Sequence, residues 1–363
     1  MNYKALQQTR RPDWQGLIDN IMRKGTPGRV YFIELFHDAE FRDALVERFN
    51  LADGLDPSDR YYEHRKLLAC QRFCGMDYVC ASLDGIDIVS AKHAVADTAA
   101  LGRRSGRQFQ DEHTGPIMSW EDFEKFEWPD VDNPQATESL EWWQENLPED
   151  MCIIGGLFSH FCEWLCWLMG YETLCYSLYD QRDLVEAIAE KCISINHRWL
   201  DRVLEFDRVK ALWGSDDMGF KTGPLIGPDD MRAFVIEGHR QMAERVHQAG
   251  KPYLLHACGK LTELMDDLID TVKIDAKHSF EDTIEDVRDV KHTYGKRIAL
   301  LGGIDVDFLC RSTPEEIRKR VRETLDVCMP GGGYCLGTGN SVANYIPMDN
   351  YLAMVDEGML YDA

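Results

Sequence analysis

The sequence predicts an α/β protein: a single (β/α)8 TIM barrel with an N-terminal helical extension and an inserted segment around 88–150. Three observations lead there. Short apolar runs alternate with amphipathic helical stretches, about eight times along the chain, and repeated strand–helix units build a parallel sheet. No glycine-rich dinucleotide fingerprint follows the first strand, which leaves a doubly wound sheet as the alternative. A chain of 363 residues with 44% hydrophobic residues can bury one large core, so residues 1–363 read as one domain.

The elements follow in order. "RVYFIELF" (29–36) reads as the first strand, and "DAEFRDALVERF" after it as a helix. "MDYVCASLD" (76–84) is a second strand. The stretch 88–150 is polar and breaks the rhythm, with a short helix at 120–126 behind the cap residue Ser119. "MCIIGG" resumes the alternation and leads into a helix, and "DLVEAIAEKCISINHRWLDRVLEF" is a long amphipathic helix. "KALWGSDD" (210–217), "PYLLHACG" and "VKIDAKHSF" are strands, each followed by a helix. "RIALLGGID" precedes Thr313-Pro314-Glu315-Glu316, a helix start with a capping-box pattern and proline in the first turn. "GGGYCLGTGN" (331–340) is the last strand, before a final helix.

Composition narrows the function. Lys+Arg number 40 against 63 Asp+Glu, a formal charge of −23. A field of that sign repels phosphate backbones and anionic membrane surfaces, so neither nucleic acid nor membrane is an expected partner. The 12 cysteines are scattered through apolar runs, and "MNYKALQQTRRPDW" has no apolar signal core. Both point to free thiols in a reducing cytoplasm. The most membrane-like stretch, 152–170, is interrupted by Gly-Gly, His160 and Glu163 and reads as a buried strand, turn and helix.

In a barrel, polar residues at the C-terminal strand ends line the active site. That rule collects Glu34, Asp84, Asp216, Asp217, His256, Cys258, His278, Glu281, Asp305, Asp307 and Asn340. His256-Ala-Cys258 places two soft ligands at positions i and i+2, on one side of a strand end, and zinc takes imidazole and thiolate together. A buried histidine beside an inert cysteine is the other reading. A third ligand must come from elsewhere, with Cys335, Glu281 and Asp282 as candidates. Asp216-Asp217 can hold a metal or perform acid–base work. Neighbours on a strand face opposite ways, so one of the two reaches the pocket and the other caps an element. Glu34 is a further candidate catalytic carboxylate, and Asn340, Asp84 and His278 are candidate substrate contacts. "GGGYCLGTGN" lacks a P-loop lysine. Phe158, Phe161, Trp164 and Trp167 have helical spacing and read as core, with a wall for a planar ligand as the alternative.

Together these residues resemble the uroporphyrinogen decarboxylase superfamily, and within it the cobalamin-dependent methyltransferases. The resemblance rests on "GGLFSHFCEWLCWLMGYETLCYSLYDQRDLVEAI", "WGSDDMGFKTGPLIGPDDMRAF", "GGIDVDFL" with "TPEEIRKRV", and "GGGYCLGTGN" with "IPMDNY". "LLHACG" is similar to the H-x-C-G element of zinc-binding members, which implies His256 and Cys258 as ligands. Those members add a later cysteine, and decarboxylases a histidine, where this chain has Asn340. The resemblance implies methyl transfer between a small-molecule donor or thiol acceptor and methylcobalamin or another corrinoid. Zinc assists, and the demethylase direction is included. No D-x-H-x-x-G corrinoid element is visible, so the corrinoid would arrive on a partner protein; a homo-oligomer is compatible. The decarboxylase substrate is a polyanion, and "FIELFHDAEF" offers it acidic residues with no arginine between Arg29 and Arg42. A lyase acting on a smaller acid, or a non-catalytic barrel that binds a corrinoid protein, are the rival readings.

Overall fold

In a computed structural model the alternation folds into an α/β architecture around one parallel sheet. The structure describes residues 3–6, 10–86, 88, 90, 92–103 and 105–361. The strands are β1 (Tyr78–Ala81), β2 (Lys92–Val95), β3 (Arg107–Gln110), β4 (Cys152–Phe158), β5 (Val209–Ser215), β6 (Tyr253–His256), β7 (Ala276–His278), β8 (Ala299–Leu301) and β9 (Tyr334–Cys335). Seven of them form the sheet in the order β1-β4-β5-β6-β7-β8-β9, every neighbour parallel. Helices such as Arg182–Leu204 and Pro314–Cys328 connect them. The apolar runs of the sequence become strands buried along their length, as in β6, because crossover helices cover a parallel sheet.

Eight strands are expected and seven form among the described residues. The predicted first strand, 29–36, makes an isolated parallel bridge, Phe32 with Leu336 beyond β9. On its other side the Tyr78 hydroxyl of β1 accepts from the Glu34 amide at 2.9 Å and donates to the Glu34 carbonyl at 2.8 Å. A side chain thus satisfies backbone groups that a neighbouring strand would otherwise pair. The segment lies between the two edge strands of the curled sheet, which gives the fold its TIM-like form.

The inserted segment, described apart from residues 89, 91 and 104, holds an antiparallel hairpin of β2 and β3 that the sequence does not announce. It also holds the helix Trp120–Lys125, capped by Ser119. At the N-terminal side, helix Trp14–Ile21 packs under β9, with the Asn20 amide donating to the Tyr334 carbonyl at 2.7 Å. The capping box at Thr313 and Glu316 is formed. Among the described residues no helix is long and apolar enough to cross a membrane. All twelve cysteines are free thiols.

Register positions the site. Ser215, His256 and His278 are direct partners across β5, β6 and β7, so the two histidines stand side by side at the C-terminal end of the sheet. Tyr253, three residues earlier on β6, faces the helix layer instead and hydrogen-bonds His239 at 2.9 Å.

Candidate functional site

Just beyond these strand ends the chain gathers three ligand types. The ligand atoms of Asp217, His256 and Cys258 all lie within 4.8 Å of one another. His256 Nε2 is 3.4 Å from Asp217 Oδ1 and 3.3 Å from Cys258 Sγ. Two loop approaches hold the geometry. Cys258 is followed by Gly259 at φ +96°, where a Cβ would lie 2.2 Å from the Gly219 backbone. Only glycine fits such a close approach in that conformation. The Lys260 amide then donates to the Phe220 carbonyl at 2.8 Å. The turn that carries Cys258 is in this way pinned to the turn that carries Asp217.

Neighbouring polar groups orient the three. His256 Nδ1 is 2.7 Å from His278 Nδ1, which leaves Nε2 of His256 facing Asp217 and Cys258. His278 is fully buried. Burial first, then His256 and Lys277, hold its pKa well below the usual value, so it is neutral and can accept a proton bond from His256. Ser279 Oγ and Asn340 Nδ2 each lie 3.4 Å from Cys258 Sγ. Burial pushes the Cys258 thiol up, and Asp217 adds to the effect. Burial also raises Asp217, but His256 and Cys258 outweigh it and hold the carboxyl below its ordinary value. Asp217 remains half exposed, at 50% of its side-chain surface, while His256 is at 5%.

The aspartate pair divides as strand alternation requires. Asp216 turns outward, fully buried. It accepts the amides of Cys162 and Glu163 at 2.9 Å each, at the start of helix Phe161–Met169, and meets His239 Nε2 at 3.1 Å. It anchors a helix N-terminus and does not reach the pocket.

The structure places two of the expected ligands, Cys335 and Glu281, apart from this group. Cys335 is fully buried and pairs with the Asn20 side chain at 3.4 Å; its strand position directs it toward helix Trp14–Ile21. Among the described residues neither it nor Glu281 joins a three-ligand group. Glu281 lines a separate cavity of about 500 Å³ at the barrel mouth, with Asp305, Asp307, Lys221, Tyr345 and Asn340. Asn340 therefore faces both that cavity and Cys258. Asp305 is used locally, accepting the amides of Phe308 and Asp282. Asp84 accepts the Ser139 amide and hydroxyl at 3.0 and 2.8 Å, away from the three ligands.

Glu34 is 3% exposed. It receives the Thr338 amide at 3.1 Å, and its Oε2 lies 2.5 Å from Thr338 Oγ1. That hydroxyl also bonds the Asn340 carbonyl. A hydroxyl has one proton, so with two acceptors in reach one of them must be a donor. A protonated Glu34 satisfies the chain Glu34 to Thr338 to Asn340. Burial raises its pKa to about 8, against the lowering effect of the Thr338 bonds. Sequence reading missed Thr338, Ser279 and His239. None carries a local signal, since each acquires its role from a partner distant in the chain. Asp217 was visible as one of a pair able to hold a metal or do acid–base work, and the turn beside Gly219 brings it to His256 and Cys258.

The geometry can be set beside known proteins. No curated protein sequence matches the chain. Among solved structures it is similar to a methyltransferase from Methanosarcina mazei, at TM-score 0.68 and 16% identity over 96% of this chain and 98% of that one. It is less similar to a Listeria monocytogenes protein assigned as a vitamin-B12-independent methionine synthase, at TM-score 0.41 and 14% identity over 92% and 97%. A GH27 β-L-arabinopyranosidase from Geobacillus stearothermophilus gives TM-score 0.38 and 12% identity over 93% and 76%. The family model described as uroporphyrinogen decarboxylase (URO-D) matches residues 106–358, from the start of β3 into the final helix, Met348–Leu360. The chain belongs to the uroporphyrinogen decarboxylase family.

Proposed function

We propose that this protein is a methyltransferase that moves a methyl group between a small molecule and a corrinoid carried by a partner protein, with zinc at Asp217, His256 and Cys258. The observation that carries the reading is the convergence of those three ligand atoms within 4.8 Å at the barrel mouth. The donor set fits the ion. Imidazole nitrogen, thiolate and carboxylate are its protein ligands, and three of them with a fourth position open is the catalytic pattern. The fit extends outward, because His278 faces the free nitrogen of His256 and fixes its tautomer. When bound, zinc would lower the pKa of an acceptor thiol or polarise the leaving atom of a methylated donor.

The chain's own residues do the rest. Cys258, whose thiol burial pushes toward its protonated form, would give up that proton to hold zinc. Asn340 and Ser279 would hold the sulfur by hydrogen bonds. The cavity beside Asn340 receives the small molecule. Its lining sets Glu281, Asp305 and Asp307 against Lys221 and Arg311, a poor match for a polyanionic tetrapyrrole, which favours methyl transfer over decarboxylation of such a substrate. Phe36, Phe220 and Tyr345 are 45%, 52% and 47% exposed, apolar surface of the kind a docking partner covers. The likeness to the Methanosarcina mazei methyltransferase over nearly the whole of both chains agrees with this reading.

Metal analysis tests it. Purified protein should contain near-stoichiometric zinc, lost in His256→Ala and Cys258→Ser, and should transfer methyl groups only with a corrinoid protein present. Full activity in a metal-free preparation, or unchanged zinc in both variants, would refute the reading.

A further inference from the structure

A cavity of about 280 Å³ takes no part in the chemistry above. It lies where helices Tyr62–Phe73 and Glu138–Asn146 meet the C-terminal end of β1. Arg42 and His64 line it, together with two carboxylates, Glu63 and Asp84. Leu67, Leu83 and Trp143 supply apolar wall. The volume falls just below that of pockets for drug-sized ligands, roughly 300 Å³ and above, and suits a smaller molecule.

Both carboxylates are already engaged. Asp84 accepts the Ser139 amide at 3.0 Å and the Ser139 hydroxyl at 2.8 Å, one with each oxygen. Glu63 Oε1 accepts from Lys66 Nζ at 2.8 Å. Arg42 has no comparable partner. Its one ion pair among the described residues, to Glu63 Oε2, is 3.9 Å long, beyond hydrogen-bond reach. Its Nε is buried with no partner, and its side chain is 22% exposed. A guanidinium cannot shed a proton to relieve this, and a buried donor left unpaired costs free energy. In a chain of net charge −23, this cation faces a cavity with its donors unspent.

The hydrogen bonds also fix which nitrogen of His64 carries the proton. Ser139 Oγ gives its single proton to Asp84. His64 Nε2, 3.2 Å from that oxygen, is therefore the donor to it. Burial lowers the His64 pKa, against Asp84 and Glu63, so the ring is neutral at neutral pH and its Nδ1 is a bare acceptor. Among the described residues Nδ1 has no hydrogen-bond partner. The ring is held by Trp142, Trp143 and Tyr61, with centroids 5.1, 5.2 and 5.4 Å away. The cavity thus presents a fixed cationic donor and a fixed neutral acceptor.

We propose that this cavity binds a small hydroxy-monocarboxylic acid, its carboxylate on Arg42 and its hydroxyl donating to His64 Nδ1. Guanidinium pairs with carboxylate through parallel hydrogen bonds. Among the described residues no second lysine or arginine lines the cavity, so a dianion would meet Glu63 and Asp84 with one charge unpaired. The apolar wall suits a short carbon chain. The inference goes beyond the methyl-transfer reading and needs neither zinc nor corrinoid.

The probes are 3-hydroxybutyrate, butyrate, 1,3-butanediol, succinate and inorganic phosphate, titrated by calorimetry and ligand-observed NMR. 3-Hydroxybutyrate should bind saturably, several-fold more tightly than butyrate and at least tenfold more tightly than 1,3-butanediol, succinate or phosphate. Arg42→Gln should weaken both acids tenfold or more, and Arg42→Lys should retain part of the affinity, with circular dichroism checking the fold of each. His64→Phe should bring 3-hydroxybutyrate down to the level of butyrate and leave butyrate unchanged. No saturable binding of 3-hydroxybutyrate overturns the proposal, as does equal affinity for butyrate, tighter binding of succinate or phosphate, or indifference to both Arg42 variants. His256→Ala should bind the acid as the wild type does, and Arg42→Gln should keep the wild-type metal content. Loss of acid binding in His256→Ala would overturn the independence of the two sites.

Discussion

Glu34→Gln isolates a buried, perturbed carboxyl near the site. Burial raises Glu34 from 4.5 to about 8. Between those values the folded protein holds a proton that the unfolded chain releases, so stability falls as pH rises. Its contribution is fully present below the unfolded pKa and lost as pH passes the folded one. At about 1.4 kcal/mol for each pKa unit, the displacement from 4.5 to about 8 amounts to about 5 kcal/mol in full. Roughly 4 kcal/mol of that falls between pH 5 and pH 9. Glutamine has the shape of the protonated acid and can still donate to Thr338 Oγ1 and accept from the Thr338 amide. The variant should therefore match the wild type within about 1 kcal/mol at pH 5 and exceed it by roughly 3–4 kcal/mol at pH 9. Urea unfolding of both proteins at half-unit pH steps measures the difference, in which the other titrating groups cancel. A difference that stays flat across this range would refute a buried, neutral Glu34.

Other substitutions probe the site and its frame. Asp216→Ala strands His239 and two helix-terminal amides, and should cost about 3–5 kcal/mol by urea unfolding; a loss below about 1 kcal/mol would contradict its anchoring role. His278→Gln removes the group that orients His256 and should lower zinc affinity roughly 10–100-fold in a chelator competition, an effect a purely structural histidine would not produce in a folded protein. Gly259→Ala sets a Cβ 2.2 Å from the Gly219 backbone at φ +96°, and should both destabilise the fold and weaken zinc binding; an unaffected metal content would show that the two turns are not coupled. Cys335→Ala should leave zinc stoichiometry unchanged, and lost zinc would restore Cys335 as a ligand.

Much of the fold is legible because its causes are local. Apolar runs bounded by turns become β4, β5 and β6, and the Thr313–Glu316 pattern becomes a capped helix, since both are set by residues a few positions apart. The segment 29–36 reads as a strand for the same reason, but strand pairing needs a neighbour. Tyr78 supplies its hydroxyl where that ladder would stand. The β2–β3 hairpin was missed because its strands are short, polar and exposed, without the alternation that a buried face imposes.

The site divides along the same line. His-x-Cys spacing at the end of an apolar run marks His256 and Cys258, because side chains two apart on a strand share a side. Strand alternation also says that Asp216 and Asp217 cannot both face the pocket. Which of them does, and that Cys335 stays with Asn20 while Asn340 comes to the sulfur, is decided only in three dimensions. Those choices depend on how far each loop travels after its strand ends, and the close packing of Gly259 on Gly219 sets that distance. Composition and periodicity determine an α/β core and mark two of the candidate ligands. The third candidate, Asp217, and the Glu34–Thr338 contact arise from contacts between residues far apart in the chain, whose energies exist only once the sheet has curled and brought them together.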